Sequence, residues 1–328
     1  MFGVSLDTNL LFTITILVTY LTGILIFSPL LVKLKEHGFV GRDMYKLGNP
    51  KIPEMGGIGI CFALLAGILF MSVFHEIPYL IYLSVFVLML YFLFGLVDDI
   101  LGVGGGDVSP TKLAKMLIPL FFAYPLANYV YTEMDLPFLG TIYLGSLYPF
   151  IILPIFIMVC ANLTNMFSYY NGQSAGSTLI ILVFVVLKLN SLGRLDMLYI
   201  LYPFMGATMA FLSYNIYPAG VFPGDSGDLM MGAMIGIAAT LGGIEAFVFV
   251  ALLPMIINFL MVAWWFTMEK DSAKVKFGKV RKDNTIVPPN NRTLMWIFPY
   301  YFRLTERHTT LIMYALVLLS CLTAWFFC

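Results

Sequence analysis

Long apolar runs separated by short polar segments dominate the hydrophobic pattern of this chain. A helix needs about 20 apolar residues to span a bilayer, and ten runs approach that length. They lie near residues 9–32, 54–73, 78–97, 112–131, 146–164, 176–190, 197–214, 228–243, 245–267 and 309–327. The pattern therefore predicts an all-α polytopic membrane protein with ten transmembrane helices.

Two polar segments alternate with a period of two residues, which is typical of β-strands. The segment 136–145, LPFLGTIYLG, is interrupted by glycine and predicts a small outer β-hairpin. The segment 274–287, KVKFGKVRKDNTIV, has Asp283–Asn284 as its turn and predicts an inner hairpin with a basic face. The segment 41–57 is rich in glycine and proline and predicts a polar loop.

The composition supports a membrane protein and excludes some classes of partner. The 328 residues are 60% hydrophobic and 11% charged, whereas soluble domains have about 45–50% apolar and about 25% charged residues. The apolar runs show no boundary, so residues 1–328 form a single integral membrane domain. The net charge is zero, which leaves no basic field for nucleic acid. The four cysteines lie in apolar runs without CxxC spacing and indicate buried thiols.

The basic residues predict the orientation. With the N-terminus outside, five inner segments, 33–53, 98–115, 165–175, 215–227 and 268–308, hold 16 of the 18 lysines and arginines. Cytoplasmic loops carry such an excess of positive charge. We therefore expect both termini outside and an active site on the cytoplasmic face. The inner loops expected to form it are 33–53, 98–111, 165–175, 215–227 and 268–308.

Asp98 and Asp99 end the third apolar run at this inner edge. Acids at a membrane edge are functional by default, and carboxylates suit Mg²⁺ or Mn²⁺, which often carry a substrate phosphate. A solvated helix end is the alternative. Lys112 follows the predicted N-cap Ser109–Pro110, where a cation opposes the helix dipole. It indicates a nearby anion, or else ordinary anchoring at the inner face.

Amide side chains and a second acidic segment complete the inner face. Asn162 and Asn165 are three residues apart and share a helix face, and Asn171 opens a turn with a glycine. Amide oxygens can ligate a hard cation or a nucleotide, although capping and turn formation are alternatives. In FPGDSGDLMMG, Asp225 lies among glycines, and Asp228 is predicted to cap the following helix. The Phe222 ring could stack on a nucleotide base, and core packing is the alternative.

These acids, amides and cations come from separate loops on one face. The combination suits a metal-bound nucleotide phosphate that meets a membrane substrate. A transporter or lipid flippase is the alternative of a different class, but transporters place charges near the bilayer midplane, where this chain is nearly free of charge. The basic last inner loop either clamps a diphosphate or binds anionic lipid heads.

Four motifs resemble those of the polyprenyl-phosphate N-acetylhexosamine-1-phosphate transferases, of the glycosyltransferase family 4 type. The likeness extends from about residue 41 to about residue 311 and leans towards the eukaryotic and archaeal UDP-N-acetylglucosamine–dolichyl-phosphate N-acetylglucosaminephosphotransferase branch. The motifs, in chain order, are KIPEMGGIGI, LVDDILG, NLTNMFSYYNGQSAGSTL and YPAGVFPGDSGDLMMGAMIG.

The resemblance implies a role for each matching residue. Asp225 would ligate Mg²⁺, with Mn²⁺ as a substitute and Asn171 as a second ligand or close neighbour. Asp98 would be the acid nearest the reaction, as base or nucleophile, with Asp99 holding the metal site and Lys112 neutralising phosphate. The residues implied in substrate binding are Lys51, Glu54, Asn162, Asn165, Phe222, Lys279, Arg281 and Arg303.

The substrates implied by the resemblance are UDP-N-acetylglucosamine and dolichyl or another polyprenyl phosphate. Membrane lipids are further partners, and the resemblance suggests a homodimer. The expected location is a cell membrane of archaeal type or the endoplasmic reticulum. Another UDP-N-acetylhexosamine or undecaprenyl phosphate remains open as the substrate, as does a two-step reaction in place of direct attack.

Overall fold

The structure, a computed structural model, describes residues 7–102, 114, 117–269, 275 and 277–328. Within these residues it is mainly helical, and the α-helices are named α1 to α11 in chain order. A 3-10 helix spans Ile118–Tyr129, and a π-helical turn, Tyr148–Ile152, leads into α4. The α-helices are Thr8–Glu36, Gly57–Phe74, Tyr79–Gly102, Leu153–Met166, Gln173–Ser191, Leu198–Asn215, Gly224–Gly242, Glu245–Ala251, Leu253–Met268, Leu294–Tyr301 and Glu306–Phe327.

The described strands form three antiparallel hairpins. Strands β3 and β4 pair at the predicted outer hairpin, and β5 and β6 pair at the predicted inner one, so both hairpins are confirmed. The first hairpin, β1 with β2, lies where a polar loop was predicted, and this prediction was wrong. Gly48 and Asn49 both have positive φ, which lets the chain turn back between the strands. The strands are Val40–Arg42, Lys51–Pro53, Glu133–Leu136, Gly140–Tyr143, Lys279–Val280 and Ile286–Val287.

The helices are those of an integral membrane protein. Six helices within the described residues are long and apolar enough to cross a membrane, or seven if the bent pair α8 and α9 is counted as one crossing. Ten crossings and the outside position of both termini stay predictions. Hydrophobicity along the sequence locates apolar runs, but it does not tell a crossing helix from one buried in the protein.

Two predicted helices differ from the structure. The predicted helix 245–267 is broken at Leu252, and α8 and α9 meet there at 63°. Pro254 lies in the first turn of α9, where the missing N–H of proline costs no hydrogen bond. The predicted helix 112–131 is described from Ile118 onward as a 3-10 helix with Pro125 inside it, and proline disrupts α-helical hydrogen bonding.

Helix α7 lies at the centre of the fold. Every residue from Ser226 to Gly242 is buried, and the helix packs closely against α3 and α4. A Cβ at Gly236 would lie 2.8 Å from Cα of Ile157 on α4, so only glycine permits this approach. Small residues let membrane helices pack backbone against backbone. The N-terminus of α7 is consequently held in a fixed place beside α3.

Candidate active site

The first turn of α7 is capped by a carboxylate from another helix. Asp99 on α3 accepts hydrogen bonds from the Asp225 N–H at 2.6 Å, the Ser226 N–H at 3.1 Å and the Ser226 hydroxyl at 2.6 Å. The first N–H groups of a helix lack partners within it. A negative charge at that end also interacts favourably with the positive end of the helix dipole. Asp99 therefore holds the turn that carries Asp225.

Asp228 was predicted to cap this helix, and the structure corrects that prediction. Helix α7 begins at Gly224, so Asp228 lies one turn inside it, beyond the capping position. The cap is supplied instead by Asp99, which is more than 120 residues away in sequence. Asp228 is thereby left for another role.

Two glycines allow α3 and α7 to meet at this point. A Cβ at Gly95 would lie 2.5 Å from the carbonyl carbon of Asp225, which is closer than real contacts permit. Gly224 has a φ of +68°, in the left-handed region that glycine adopts without strain. Gly95 therefore permits the close approach of the two backbones, and Gly224 permits the turn that leads into α7.

A cavity of about 410 Å³ opens at the N-terminus of α7. We call it the site cavity. Its lining holds five acidic side chains against one basic one, Arg42, together with amides and aromatic rings. The acids and amides are Asp43, Glu54, Asp225, Asp228, Glu306, Asn165, Asn171 and Asn215, and the rings are Tyr45, Tyr169, Tyr170, Phe222 and Phe277.

Asp225 and Asn165 meet in the site cavity, although the resemblance implied separate roles for them, in metal ligation and in substrate binding. The Asn165 amide Nδ2 donates to Asp225 Oδ1 at 2.8 Å, which orients the carboxylate. Glu54 lies on the same wall, and burial raises its pKa, with the charge of Asp225 adding to the effect. The two carboxylates thus share one electrostatic environment at the edge of the cavity.

Phe222 also lines the site cavity, and its backbone joins two motifs. Its N–H donates to the Pro53 carbonyl at 2.8 Å, and its own carbonyl accepts from the Gly56 N–H at 2.9 Å. These bonds fasten the KIPEMGG segment to the FPGD segment. Glu54 is thereby brought to the cavity, whereas the exposed Lys51 does not line it.

Asn171 lines the cavity and contacts two other segments of its wall, and its role as a metal ligand stays a prediction. The amide Oδ1 accepts from Lys46 Nζ at 2.8 Å and from the Ala219 N–H at 3.0 Å. A carbonyl oxygen has two lone pairs, and these two donors occupy both. Asn171 is therefore a cross-link between segments of the cavity wall.

Lys46 and Glu306, which sequence reasoning missed, complete this cross-link. Lys46 forms an ion pair with the Glu306 carboxylate and a second one with Asp43 at 3.3 Å. Glu306 Oε1 accepts the Asn171 N–H at 2.7 Å, and Lys46 Nζ lies 4.0 Å from the ring centre of Tyr217. One signal for this cross-link was present in the sequence. Glu306 stands at the start of the last apolar run, where a buried charge needs a partner of opposite charge.

Other predicted residues lie outside the lining of the site cavity. Asn162 donates to the Met158 carbonyl of its own helix at 2.9 Å. Asp98 is buried on α3 beside Asp99, and neither side chain reaches the cavity lining in the described part of the chain. Lys112 lies outside the described residues.

The three predicted basic contacts of the last loop belong to the β5–β6 hairpin region. Arg281 donates to the Thr285 hydroxyl and the Ile286 carbonyl, at 3.3 and 3.1 Å. Arg303 pairs with Asp283 at 2.6 Å, and Lys279 is exposed on β5. None of them lines the site cavity, although Phe277 from the same loop does.

The donor set of the site cavity fits a hard divalent cation. Magnesium is usually held by one or two carboxylates together with substrate phosphates, and the cavity offers Asp225 and Asp228 on one helix. Asp228 Oδ1 is buried and has no hydrogen-bond partner among the described residues, as expected of an oxygen that awaits a ligand. No group of three His, Cys, Asp or Glu side chains in the described ranges converges on one metal position, so substrate oxygens would complete the shell.

Comparison with known proteins gives a consistent result. The model of glycosyl transferase family 4 matches residues 79–243. A Sulfolobus acidocaldarius protein provisionally named UDP-N-acetylglucosamine–dolichyl-phosphate N-acetylglucosaminephosphotransferase is 31% identical over 256 residues, which cover 75% of this chain and 74% of the relative. The Saccharolobus solfataricus protein of the same name is 31% identical over 280 residues, covering 81% and 80%.

A bacterial relative carries a different name. The phospho-N-acetylmuramoyl-pentapeptide-transferase of Clostridium beijerinckii is 30% identical over 260 residues, which cover 74% of this chain and 78% of the relative. The names of all three relatives describe the transfer of a sugar phosphate, but they specify different sugars.

Proposed function

Since the chain belongs to glycosyl transferase family 4, we propose that it transfers N-acetylglucosamine-1-phosphate from UDP-N-acetylglucosamine to dolichyl or a related polyprenyl phosphate. The products are lipid-diphosphate-N-acetylglucosamine and UMP. This reaction is the first step in the synthesis of a lipid-linked oligosaccharide for N-glycosylation. The names of the two archaeal relatives support this choice of substrates.

The observation that carries the proposal is the acidic site cavity at the capped end of α7. Five acids line it against one arginine, and Lys46 offsets two of these acids, Asp43 and Glu306. A cation would reduce the remaining repulsion of a nucleotide diphosphate. Asp225, oriented by Asn165, would hold Mg²⁺, and Mn²⁺ also fits oxygen ligands. When bound, the ion neutralises the diphosphate and polarises the phosphorus–oxygen bonds.

The protein's own residues position the substrates. Asp99 fixes the turn that carries Asp225, and the Phe222 ring offers a flat apolar surface for the pyrimidine base. Asp98 stays a proposal as the acid nearest the reaction, and Lys112 as a group that neutralises phosphate. Lys51, Lys279, Arg281 and Arg303 would act outside the cavity, where the lipid phosphate approaches from the membrane.

The reaction balances as a single displacement. An oxygen of the lipid phosphate attacks the phosphorus next to the sugar, the bond from that phosphorus to the bridging oxygen breaks, and UMP leaves with the electron pair. A phosphate monoester is already anionic at neutral pH and needs little deprotonation. In direct attack, the protein therefore contributes chiefly by positioning the substrates and by neutralising their charge.

The decisive test is transfer of label from the UDP-sugar into lipid. Purified protein in liposomes is incubated with radiolabelled UDP-N-acetylglucosamine and dolichyl phosphate, and organic-extractable label is counted. Parallel reactions use other UDP-N-acetylhexosamines and undecaprenyl phosphate. Transfer from another sugar only would support the alternative suggested by the bacterial relative, and no lipid-linked label with any pair would contradict the proposal and leave a transporter or flippase.

The proposed location is an integral position in a cell membrane of archaeal type or the endoplasmic reticulum, with the site cavity facing the cytoplasm. The positive-inside distribution supports this orientation. A cysteine at the exposed Lys279, on β5, should react with a membrane-impermeable maleimide only from the cytoplasmic side. Reaction from the opposite side only would overturn the orientation. We also propose a homodimer, which cross-linking in native membranes tests.

A further inference from the structure

Asp228 is a buried carboxylate that no step described so far uses. It lies three residues after Asp225 on α7, so the two side chains share a helix face. Its relative exposure is 4%, it lines the site cavity, and its Oδ1 has no hydrogen-bond partner among the described residues. A buried acceptor without a partner is unfavourable, which indicates that a ligand supplies what the protein does not.

The surroundings of Asp228 indicate the charge of that ligand. Burial disfavours the charged form of the Asp228 carboxyl group most strongly, and the charges of Asp225 and Asp99 act in the same direction, whereas the Ser174 and Ser168 hydroxyls stabilise it. A neutral hydroxyl or N–H from the substrate would satisfy the oxygen and leave the repulsion in place. A cation would satisfy the oxygen and relieve the repulsion as well.

We propose that Asp228 is the second protein carboxylate of the divalent-cation site. Asp225 and Asp228 present oxygen ligands from successive turns of one helix, and Asp99 holds the beginning of that helix in place. Hard cations such as Mg²⁺ and Mn²⁺ take such oxygens. The inference rests on the proposed function only in naming the cation's purpose, because cation binding itself can be measured without any substrate.

The test is a manganese titration of the purified full chain in nanodiscs, followed by the electron paramagnetic resonance signal of free Mn²⁺. The D228N variant keeps the size of the side chain and removes its charge. The matched control, D196N, makes the same change at an exposed aspartate outside the site cavity. We expect D228N to weaken Mn²⁺ binding at least about tenfold, within the range for groups that support a metal, and D196N to leave it unchanged.

Thermal unfolding supplies a second readout that also shows whether the variant folds. Without a divalent cation, D228N should unfold at a temperature close to that of the wild type, because the substitution keeps the size of the buried side chain. With Mn²⁺ present, the wild type should gain stability and D228N should gain much less. If D228N does not fold, D228S replaces it in both measurements.

The outcomes separate this inference from the proposed function. Equal Mn²⁺ affinity of D228N and D196N would overturn the role of Asp228, and weakened UDP binding alone would assign Asp228 to the nucleotide instead. In either case lipid-linked transfer by the wild type would leave the proposed function standing. Conversely, Mn²⁺ binding that depends on Asp228, with no sugar transfer to any lipid phosphate, would support the cation site and contradict the proposed function.

Discussion

Asp99 on α3 accepts both the N–H and the hydroxyl of Ser226 on α7, at 3.1 and 2.6 Å, and so caps a helix to which it does not belong. The same carboxylate accepts the N–H of Asp225 at 2.6 Å. The position of the proposed metal ligand consequently depends on a side chain from a distant part of the sequence. The packing of α3 against α7 therefore helps to fix the geometry of the candidate site.

Replacing Asp99 by alanine should therefore lower both stability and activity. Loss of a helix cap costs about 0.5–2 kcal/mol, and thermal unfolding in detergent measures it. S226A removes only the hydroxyl bond and should cost less. A D99A/S226A double variant that loses no more than D99A alone would show that the two residues act through one interaction. Fully additive losses would contradict the shared cap.

Asp225→Asn should abolish transfer to the lipid phosphate while the protein stays folded. The substitution preserves the size of the side chain but removes the charge proposed to hold the cation. Transfer of radiolabelled sugar measures activity, and D196N, at an exposed aspartate outside the site cavity, serves as the matched control. Substantial turnover of D225N with excess Mg²⁺ would contradict its role as a ligand.

Asn165→Ala should reduce activity less than D225N, because Asn165 orients the Asp225 carboxylate through Nδ2 and is not itself proposed as a ligand of the cation. Groups that orient metal ligands typically contribute about 10–100-fold to affinity or activity. We expect the loss to appear as a higher Mg²⁺ requirement, with partial recovery at high Mg²⁺. N162A is the control, since Asn162 donates to a carbonyl of its own helix and lies outside the lining of the site cavity. An equal loss in both variants would show a general effect on α4.

Lys46→Met should destabilise the protein strongly. The change leaves Glu306 and Asp43 buried without their shared cation, and breaking a buried ion pair costs about 3–5 kcal/mol. Lys51→Met, at an exposed lysine of the same hairpin, should change stability little. The double variant K46M/E306Q should recover part of the loss seen in thermal unfolding. If the double variant recovers none of the lost stability, the destabilisation by K46M does not arise from the unpaired Glu306 carboxylate.

Much of the fold was predictable from the sequence because its signals are local. Apolar runs mark the helices, and alternation marked β3–β4 and β5–β6. The Lys46–Asn171–Glu306 cross-link was not predictable, since its partners lie 125 to 260 residues apart. The cap on α7 was likewise misassigned to Asp228, because helix caps are usually supplied by a residue close to the helix start in the sequence. Motif segments therefore identified where the site lies, and packing decided which side chains face it.

The raised pKa of Glu54 predicts a pH-dependent contribution to stability. Burial raises the pKa, and the charge of Asp225 adds to it, so the folded state holds the proton more tightly than the unfolded state, whose pKa is about 4.3. The contribution is fully present below the unfolded pKa and is lost as the pH rises through the folded pKa.

Glu54→Gln removes this titration. The unfolding temperature of the wild type relative to E54Q should therefore fall as the pH rises above the unfolded pKa of about 4.3 and through the raised folded pKa. A difference that does not change with pH would contradict the raised pKa. Measurements with and without Mg²⁺ add a further check, because a bound cation should oppose the protonation of nearby carboxylates and reduce the pH dependence.

Direct attack by the lipid phosphate makes a prediction about Asp98. If the reaction is a single displacement, the wild type incubated with UDP-N-acetylglucosamine alone should carry no sugar-phosphate adduct, and intact-mass spectrometry checks this. A two-step reaction would instead leave N-acetylglucosamine-phosphate bonded to a carboxylate and release UMP before any lipid is added. Asp98 is buried on α3 and does not line the site cavity, which favours direct attack. An adduct that appears in the wild type and disappears in D98N would overturn it, whereas release of UMP only after dolichyl phosphate is added would support it.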